Sequence, residues 1–196
     1  MEEATLEQQI PEAAETSAPQ KSPGLRSWVT DLLFAGVASA FIILFLYQPV
    51  RVEGTSMLPV LQDQDRLFID KFAYSHLGTL VGEQIHRGDV VVFLYPHDHS
   101  KSYIKRVIAL PGDALRIDHG TVWVNGTPLK ESYVPLKYED DRSQPEMTIP
   151  KSEYFVMGDH RSISSDSRDF GPVERGLIYG RAAFVYWPMD QAGVVR

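Results

Sequence analysis

Cysteine is absent from all 196 residues. That excludes disulfides, thiolate nucleophiles and Cys-ligated zinc together, while leaving the redox compartment open. A basic excess is also lacking. The formal net charge is −7, with five acidic and two basic residues in 1–27 and 20 acidic and 17 basic in 51–196. No segment is a basic arm able to neutralise a run of phosphates, so no nucleic-acid partner is expected. No internal repeat of fixed period occurs. The length leaves room for one domain of ordinary size with appendages, not for a multidomain machine.

What is present divides into three stretches. Residues 1–27 are rich in Glu, Gln, Ala, Pro and Ser, with Leu6 and Ile10 as isolated large apolar residues up to about residue 24. Such a composition buries too little surface to offset the entropy of ordering and reads as a disordered acidic tail. Residues 28–50 change character abruptly. Leu32 to Leu46 is apolar apart from Gly36 and Ser39, Asp31 stands near one end, and Trp28 and Tyr47 flank the run. About 20 apolar residues at 1.5 Å per residue cross a bilayer core, and aromatic side chains favour its interfaces. The segment is therefore expected to be a single transmembrane helix stopped by Pro49, and its partner a lipid bilayer. A cleaved signal peptide fits less well, because the run begins far from Met1. Lys21 and Arg26 before the span, against Arg51 after it, tilt the charge count towards a cytoplasmic N-terminus.

Residues 51–196 read as a mainly β domain. Short β-branched and aromatic runs at 66–70, 89–95, 103–110, 114–117, 121–124, 154–157 and 182–187 are separated by Gly-, Pro- and Asn-containing turns. Asn125-Gly126, set between Val122-Trp123-Val124 and Thr127-Pro128-Leu129, predicts a hairpin with a type I′ turn. Many short strands with few helical stretches imply a folded sheet or barrel. A polar excursion covers 125–150, with 130–150 expected as a long loop.

Three clusters carry groups suited to catalysis. In Glu53-Gly54-Thr55-Ser56-Met57-Leu58-Pro59 a glycine-containing turn can expose a serine hydroxyl and aim a backbone N–H outwards, as an oxyanion hole requires. In Tyr103-Ile104-Lys105-Arg106-Val107 strand alternation puts Lys105 on a face with Tyr103 and Val107. Desolvation there lowers a lysine pKa from about 10.4, and the neutral amine can act as a general base to serine. In Met157 to Arg168, Asp159 or Asp166 can pair with Arg161 or Arg168 and fix a loop. Each cluster alone also suits an ordinary polar turn, a snorkelling lysine or a solvated loop. His97 and His99 flank Asp98 without a third neighbouring His or Cys, so no metal site is expected. A Ser–His–Asp triad through His160 is a lesser alternative, since it leaves Lys105 without a role.

Together the clusters resemble the bacterial type I signal peptidase family, membrane-bound Ser–Lys proteases that remove signal peptides from exported preproteins. The likeness runs from about residue 30 to Pro188. It rests on Gly54 to Pro59, Arg66 to Lys71, Arg87 to Phe93, Tyr103 to Val107 with Leu110-Pro111-Gly112-Asp113, Gly158-Asp159-His160-Arg161 with Ser164, Asp166, Ser167 and Arg168, and Gly180-Arg181-Ala182, in that order. The resemblance implies a signal-peptidase-like β domain, with Ser56 as nucleophile and Lys105 as general base. It implies that Ser164 orients the lysine and that Asp166 and Arg168 form a supporting pair. It also implies that the Ser56 N–H is an oxyanion donor, and that Val50, Val52 and Ile104 line shallow pockets for small side chains. Preprotein signal peptides are the implied partner, with no metal or cofactor, a monomeric enzyme, and the catalytic domain on the outer side of the bacterial inner membrane. Two positions depart from the family. Gly54 stands where many relatives have a serine contributing an oxyanion hydroxyl, and His160 stands where Asn is frequent. Two rivals remain: an inactive membrane-anchored module that binds exported peptides, and a self-cleaving Ser–Lys regulator. The second would need a DNA-binding domain in place of residues 1–27.

Overall fold

In the computed structural model, residues 24–74 and 84–196 are described. The chain parses into two units, 1–38 and 39–196. Helix α1, Leu25–Leu46, begins with Ser27 N–H donating to the Gly24 carbonyl at 2.8 Å. Residues 25–27, expected in the tail, are thus helical, while 1–23 lie outside the described residues. The helix stops at Leu46 and strand β1, Tyr47–Arg51, follows directly. The helix therefore ends before the bound expected at Val50. Pro49 disfavours helical angles in the residue before it, and Tyr47 to Arg51 pair antiparallel with Asp70 to Arg66. As an edge strand, β1 tolerates a residue with no N–H to donate. Among the described residues, which omit the side chains of 42–45, no helix is long and apolar enough to cross a membrane.

The remaining strands are β2 (Arg66–Asp70), β3 (Val90–Tyr95), β4 (Asp98–Ala109), β5 (Ala114–Asp118), β6 (Thr121–Val124), β7 (Thr127–Pro128), β8 (Gln144–Thr148), β9 (Glu153–Met157), β10 (Val173–Glu174), β11 (Ile178–Trp187) and β12 (Gly193–Val194). One sheet runs β1-β2-β11-β3-β4-β9-β10, with β12 beside β11, and a second runs β7-β6-β5-β8. The mainly β reading holds. Asn125 and Gly126, at φ 51° and 75°, join β6 to β7 as a type I′ turn requires. Residues 130–150 are more than a loop, because β8 pairs with β5. Its sequence, Gln-Pro-Glu-Met-Thr, has little strand propensity, and an edge position admits its proline.

The core has three parts. Val52, Met57, Leu61, Leu67, Ile69, Val90 and Val92 form one. Val91, Phe93, Val107, Val156 and Ile178 form the second, and Ile108 and Phe155 of the larger sheet with Leu115 and Val122 of the smaller one and Ile149 form the third. Strand β4 contributes to all three. It is 12 residues long, exposed at its start and buried at its end, and Lys105 and Arg106 lie in its buried half.

Candidate active site

The turn after β1 is tied to the core at both ends. Val52 N–H donates to the Asp65 carbonyl at 2.8 Å, and Leu61 N–H to the Met57 carbonyl at 2.9 Å. Met57 and Leu61 are fully buried. Between Val52 and Met57, Gly54 takes a φ of 93°, which L side chains rarely adopt, and its N–H donates to Asp63 Oδ1 at 2.8 Å. This geometry presents half-buried Ser56. Its N–H donates to no acceptor among the described residues.

Lys105 Nζ lies 2.7 Å from Ser56 Oγ. On β4 it shares a face with Tyr103 and Val107, and Val91 of β3 stands directly opposite. Only 5% of Lys105 is exposed. Burial in this apolar setting lowers its pKa to about 8, against the opposing pull of Asp166 and Asp159 and with help from Arg168. The shift corresponds to roughly 3 kcal/mol of differential solvation, at 1.36 kcal/mol per unit. The pair joins residues 49 apart in sequence, a proximity that no local pattern encodes.

The loop 158–169 packs against this pair. His160 N–H donates to the Ser56 carbonyl at 3.0 Å, and Ser164 N–H to the His160 carbonyl at 3.1 Å. Ser164 is buried, and its Oγ has no partner among the described residues. Asp166, fully buried, accepts from Gly158 N–H at 3.0 Å and from Arg168 Nε and Nη2 at 2.8 Å each. It also caps helix α2, Ser167–Phe170, in a capping box with Asp169.

The other expected pairings are partly corrected. Asp159 pairs with Arg106 through two bonds of 2.8 and 2.7 Å rather than with Arg161 or Arg168. Burial pushes its carboxyl up, opposed by the guanidinium. Arg161 forks onto Glu131, and Arg168 reaches Asp140 as well as Asp166. Glu131 and Asp140 gave no signal in the sequence, since their partners lie 30 and 28 residues away. The His160 ring lies against Tyr138 at 4.0 Å between centroids, so its backbone, not its imidazole, serves Ser56.

A groove of about 780 Å³ opens over Ser56 and Lys105, between residues 48–53 on one side and 100–105 on the other. Val50, Val52, Val92 and Ile104 give it an apolar floor. Ser165 reaches the groove, whereas His97 and His99 do not line it.

Gly158 has no room for a side chain. A Cβ there would collide with Ser164 Oγ and stand 2.5 Å from the Ser56 carbonyl oxygen. Gly158→Ala is therefore expected to lower turnover about 100-fold, because displacements near 1 Å cost that much in a positioned site. Steady-state rates beside thermal midpoints check this. A fully active Gly158→Ala protein would contradict the close packing of loop and nucleophile.

A family model described as "Signal peptidase, peptidase S26" matches residues 25–187. The chain is 33% identical over 190 residues to signal peptidase I of Bacillus licheniformis, covering 90% of this chain and 96% of that one. It is 35% identical over 192 residues to signal peptidase I of Bacillus amyloliquefaciens, covering 93% and 95%. It is 34% identical over 191 residues to probable signal peptidase I-2 of Synechocystis sp., covering 92% and 83%. A serine and a buried lysine in contact at the base of a groove do not by themselves single out one family, but the match along most of the chain does: the chain is a member of the signal peptidase family, peptidase S26.

Proposed function

We propose that the protein is a type I signal peptidase that removes signal peptides from exported preproteins, with Ser56 as nucleophile and Lys105 as general base. The observation that carries the dyad is the 2.7 Å contact between Lys105 Nζ and Ser56 Oγ in a setting that favours the neutral amine. Neutral Lys105 takes the Ser56 proton as Oγ attacks the carbonyl before the cleaved bond. The uncommitted Ser56 N–H receives the developing oxyanion. Protonated Lys105 then supplies the proton with which the amine of the mature protein leaves. Water, deprotonated by Lys105, attacks the ester carbonyl, and Lys105 returns that proton to Ser56 Oγ as it leaves. The Asp166–Arg168 pair holds the loop that carries Ser164, whose buried Oγ has no partner of its own among the described residues and is the group assigned to orient Lys105 by accepting from its amine. No metal or cofactor enters these steps, and both reacting groups come from one chain, as in a monomeric enzyme.

Val50, Val52 and Ile104 form the floor on which the side chains before the cleaved bond rest. Small residues are accepted there because a shallow floor leaves no volume for larger ones. The helix α1 is the anchor of a single-pass protein whose catalytic domain faces away from the cytoplasm. Exposed Trp28, Leu32, Leu33, Phe34, Val37 and Phe41 support an apolar environment for it. Anchoring holds enzyme and membrane-bound signal peptide at high effective concentration.

The test is cleavage of a preprotein carrying Ala at the first and third positions before its cut, with product masses determined. One cut after the second Ala is expected. Replacing that Ala by Leu should lower kcat/KM about 10- to 100-fold, since a side chain too large for the shallow apolar floor holds the peptide off the dyad. A folded enzyme that binds the preprotein without cutting it would contradict this reading and leave a peptide-binding module.

A further inference from the structure

The segment 131–142 lines no part of the groove, yet it is bound along its length to the loop that carries Ser164. Glu131 accepts from the two terminal guanidinium nitrogens of Arg161, at 2.8 and 2.5 Å, while Arg161 Nε donates to the Gly158 carbonyl at 3.0 Å. The Tyr138 ring lies on the His160 ring at 4.0 Å, and the Tyr138 carbonyl accepts from Ser162 N–H at 3.2 Å. Asp140 accepts from Arg168 at 2.6 Å, and Arg142 donates to Asp169 at 2.6 Å. Two of these ion pairs are largely out of water: Arg161 is 3% and Glu131 12% exposed, Arg168 2% and Asp140 10%. On its far side the segment is tied to the β5–β6 turn. Gly120 N–H donates to the Arg142 carbonyl and His119 N–H to Ser143 Oγ, each at 3.0 Å. The loop thus held is the one whose His160 N–H fixes the Ser56 carbonyl, and whose Ser164 sits against Gly158.

We propose that residues 131–142 are a positioning strap, in which Glu131, Tyr138 and Asp140 lock the 158–169 loop so that Ser164 and the Ser56 carbonyl are held in register with Lys105. The inference rests on the peptidase reading and adds to it residues that act through others. Buried, forked carboxylate–guanidinium pairs are directional as well as strong, so they fix a loop's place and not merely its presence. Since the strap does not border the groove, loosening it leaves ground-state binding of the peptide intact and slows the chemical step.

The experiment compares full-length wild type, Glu131→Gln/Asp140→Asn, Tyr138→Ala, Tyr138→Phe and, as a control, Arg116→Ala, whose exposed pair with Asp118 lies away from the loop. Cleavage of a preprotein is followed in single turnover with enzyme in saturating excess. The rate constant then reports the reaction per competent site rather than the amount of folded enzyme. The double variant and Tyr138→Ala are expected to react about 10- to 100-fold more slowly, with the half-saturating enzyme concentration unchanged. Tyr138→Phe, which keeps the ring against His160, restores most of the rate lost in Tyr138→Ala. Arg116→Ala matches wild type. Wild-type saturated rates in both the double variant and Tyr138→Ala would overturn the strap while leaving the peptidase reading standing. Weakened half-saturation with an unchanged saturated rate would overturn it as well, by making the segment a binding element. Absence of cleavage by wild type would instead remove the peptidase reading, and the strap with it.

Discussion

Ser56→Ala and Lys105→Met are each expected to lower kcat/KM for preprotein cleavage by about 10⁴-fold or more, as removal of one member of a nucleophile–base unit does elsewhere. The alanine removes the attacking oxygen. The methionine leaves it without a base, since no other titratable side chain is in hydrogen-bonding contact with Ser56 Oγ among the described residues. Lys105→Arg should fail equally, because a guanidinium keeps its protons at any accessible pH. The double variant Ser56→Ala/Lys105→Met should be no slower than either single one, the mark of groups acting together. Stability moves the other way. Lys105 is almost wholly buried and its ammonium is held there against desolvation, so Lys105→Met should stabilise the fold by roughly 1–3 kcal/mol at neutral pH. Product analysis and urea midpoints on matched samples check both. An active Lys105→Met protein would remove the proposed base.

Asp159→Ala is expected to destabilise the fold by about 3–5 kcal/mol, because it strands a guanidinium that is 2% exposed. Arg106 also donates to the Gly88 carbonyl at 2.8 Å and to the Arg196 main-chain oxygen at 3.2 Å and stacks on Tyr133 at 4.1 Å, but none of these replaces a buried carboxylate held by two short bonds. Removing both charges together, as Arg106→Met/Asp159→Leu, should cost much less, since no unpaired ion remains buried. Chemical denaturation with unchanged slope measures the difference. There is a catalytic consequence too. Asp159 is one of the two carboxylates that hold the Lys105 pKa up. Its loss should move the rising, acid-side limb of activity to lower pH, even as the folded fraction falls. Equal stability of the single and double variants would contradict an uncompensated buried charge.

Local chemistry made parts of this molecule readable from its residues. Asn125-Gly126 dictates its hairpin because positive φ at both positions is a property of those two residues. Strand alternation alone puts Lys105 on an apolar face. The register of β1 was hidden by the apolar run that enters it. Tyr47 to Arg51 become strand because β2 offers a partner, which a helix-like hydropathy pattern does not reveal. Strand β8 was hidden by the opposite circumstance, a polar segment recruited by β5. The ion pairs around the site follow the same division. Asp166 and Arg168 are two residues apart and were open to inspection, whereas Arg106 meets Asp159 across 53 residues. Sequence spacing shows which groups are suited to a chemistry. Which of them meet is decided by sheet order, and here β4 lies between β3 and β9.

The proposed base for Ser56 is Lys105, whose ammonium form is disfavoured by burial. The most direct measurement is the titration of the Lys105 ε-amine by NMR on selectively labelled protein, beside the pH dependence of kcat/KM for preprotein cleavage. Burial disfavours the ammonium, so the free enzyme gains its competent base as pH rises through about 8. Folding stability should rise with pH between there and the unfolded lysine value of about 10.4, because the unfolded chain binds more protons over that window. The prediction is one inflection near 8 shared by the amine signal and the rate. A Lys105 that titrates at its ordinary value while activity inflects elsewhere would contradict the claim.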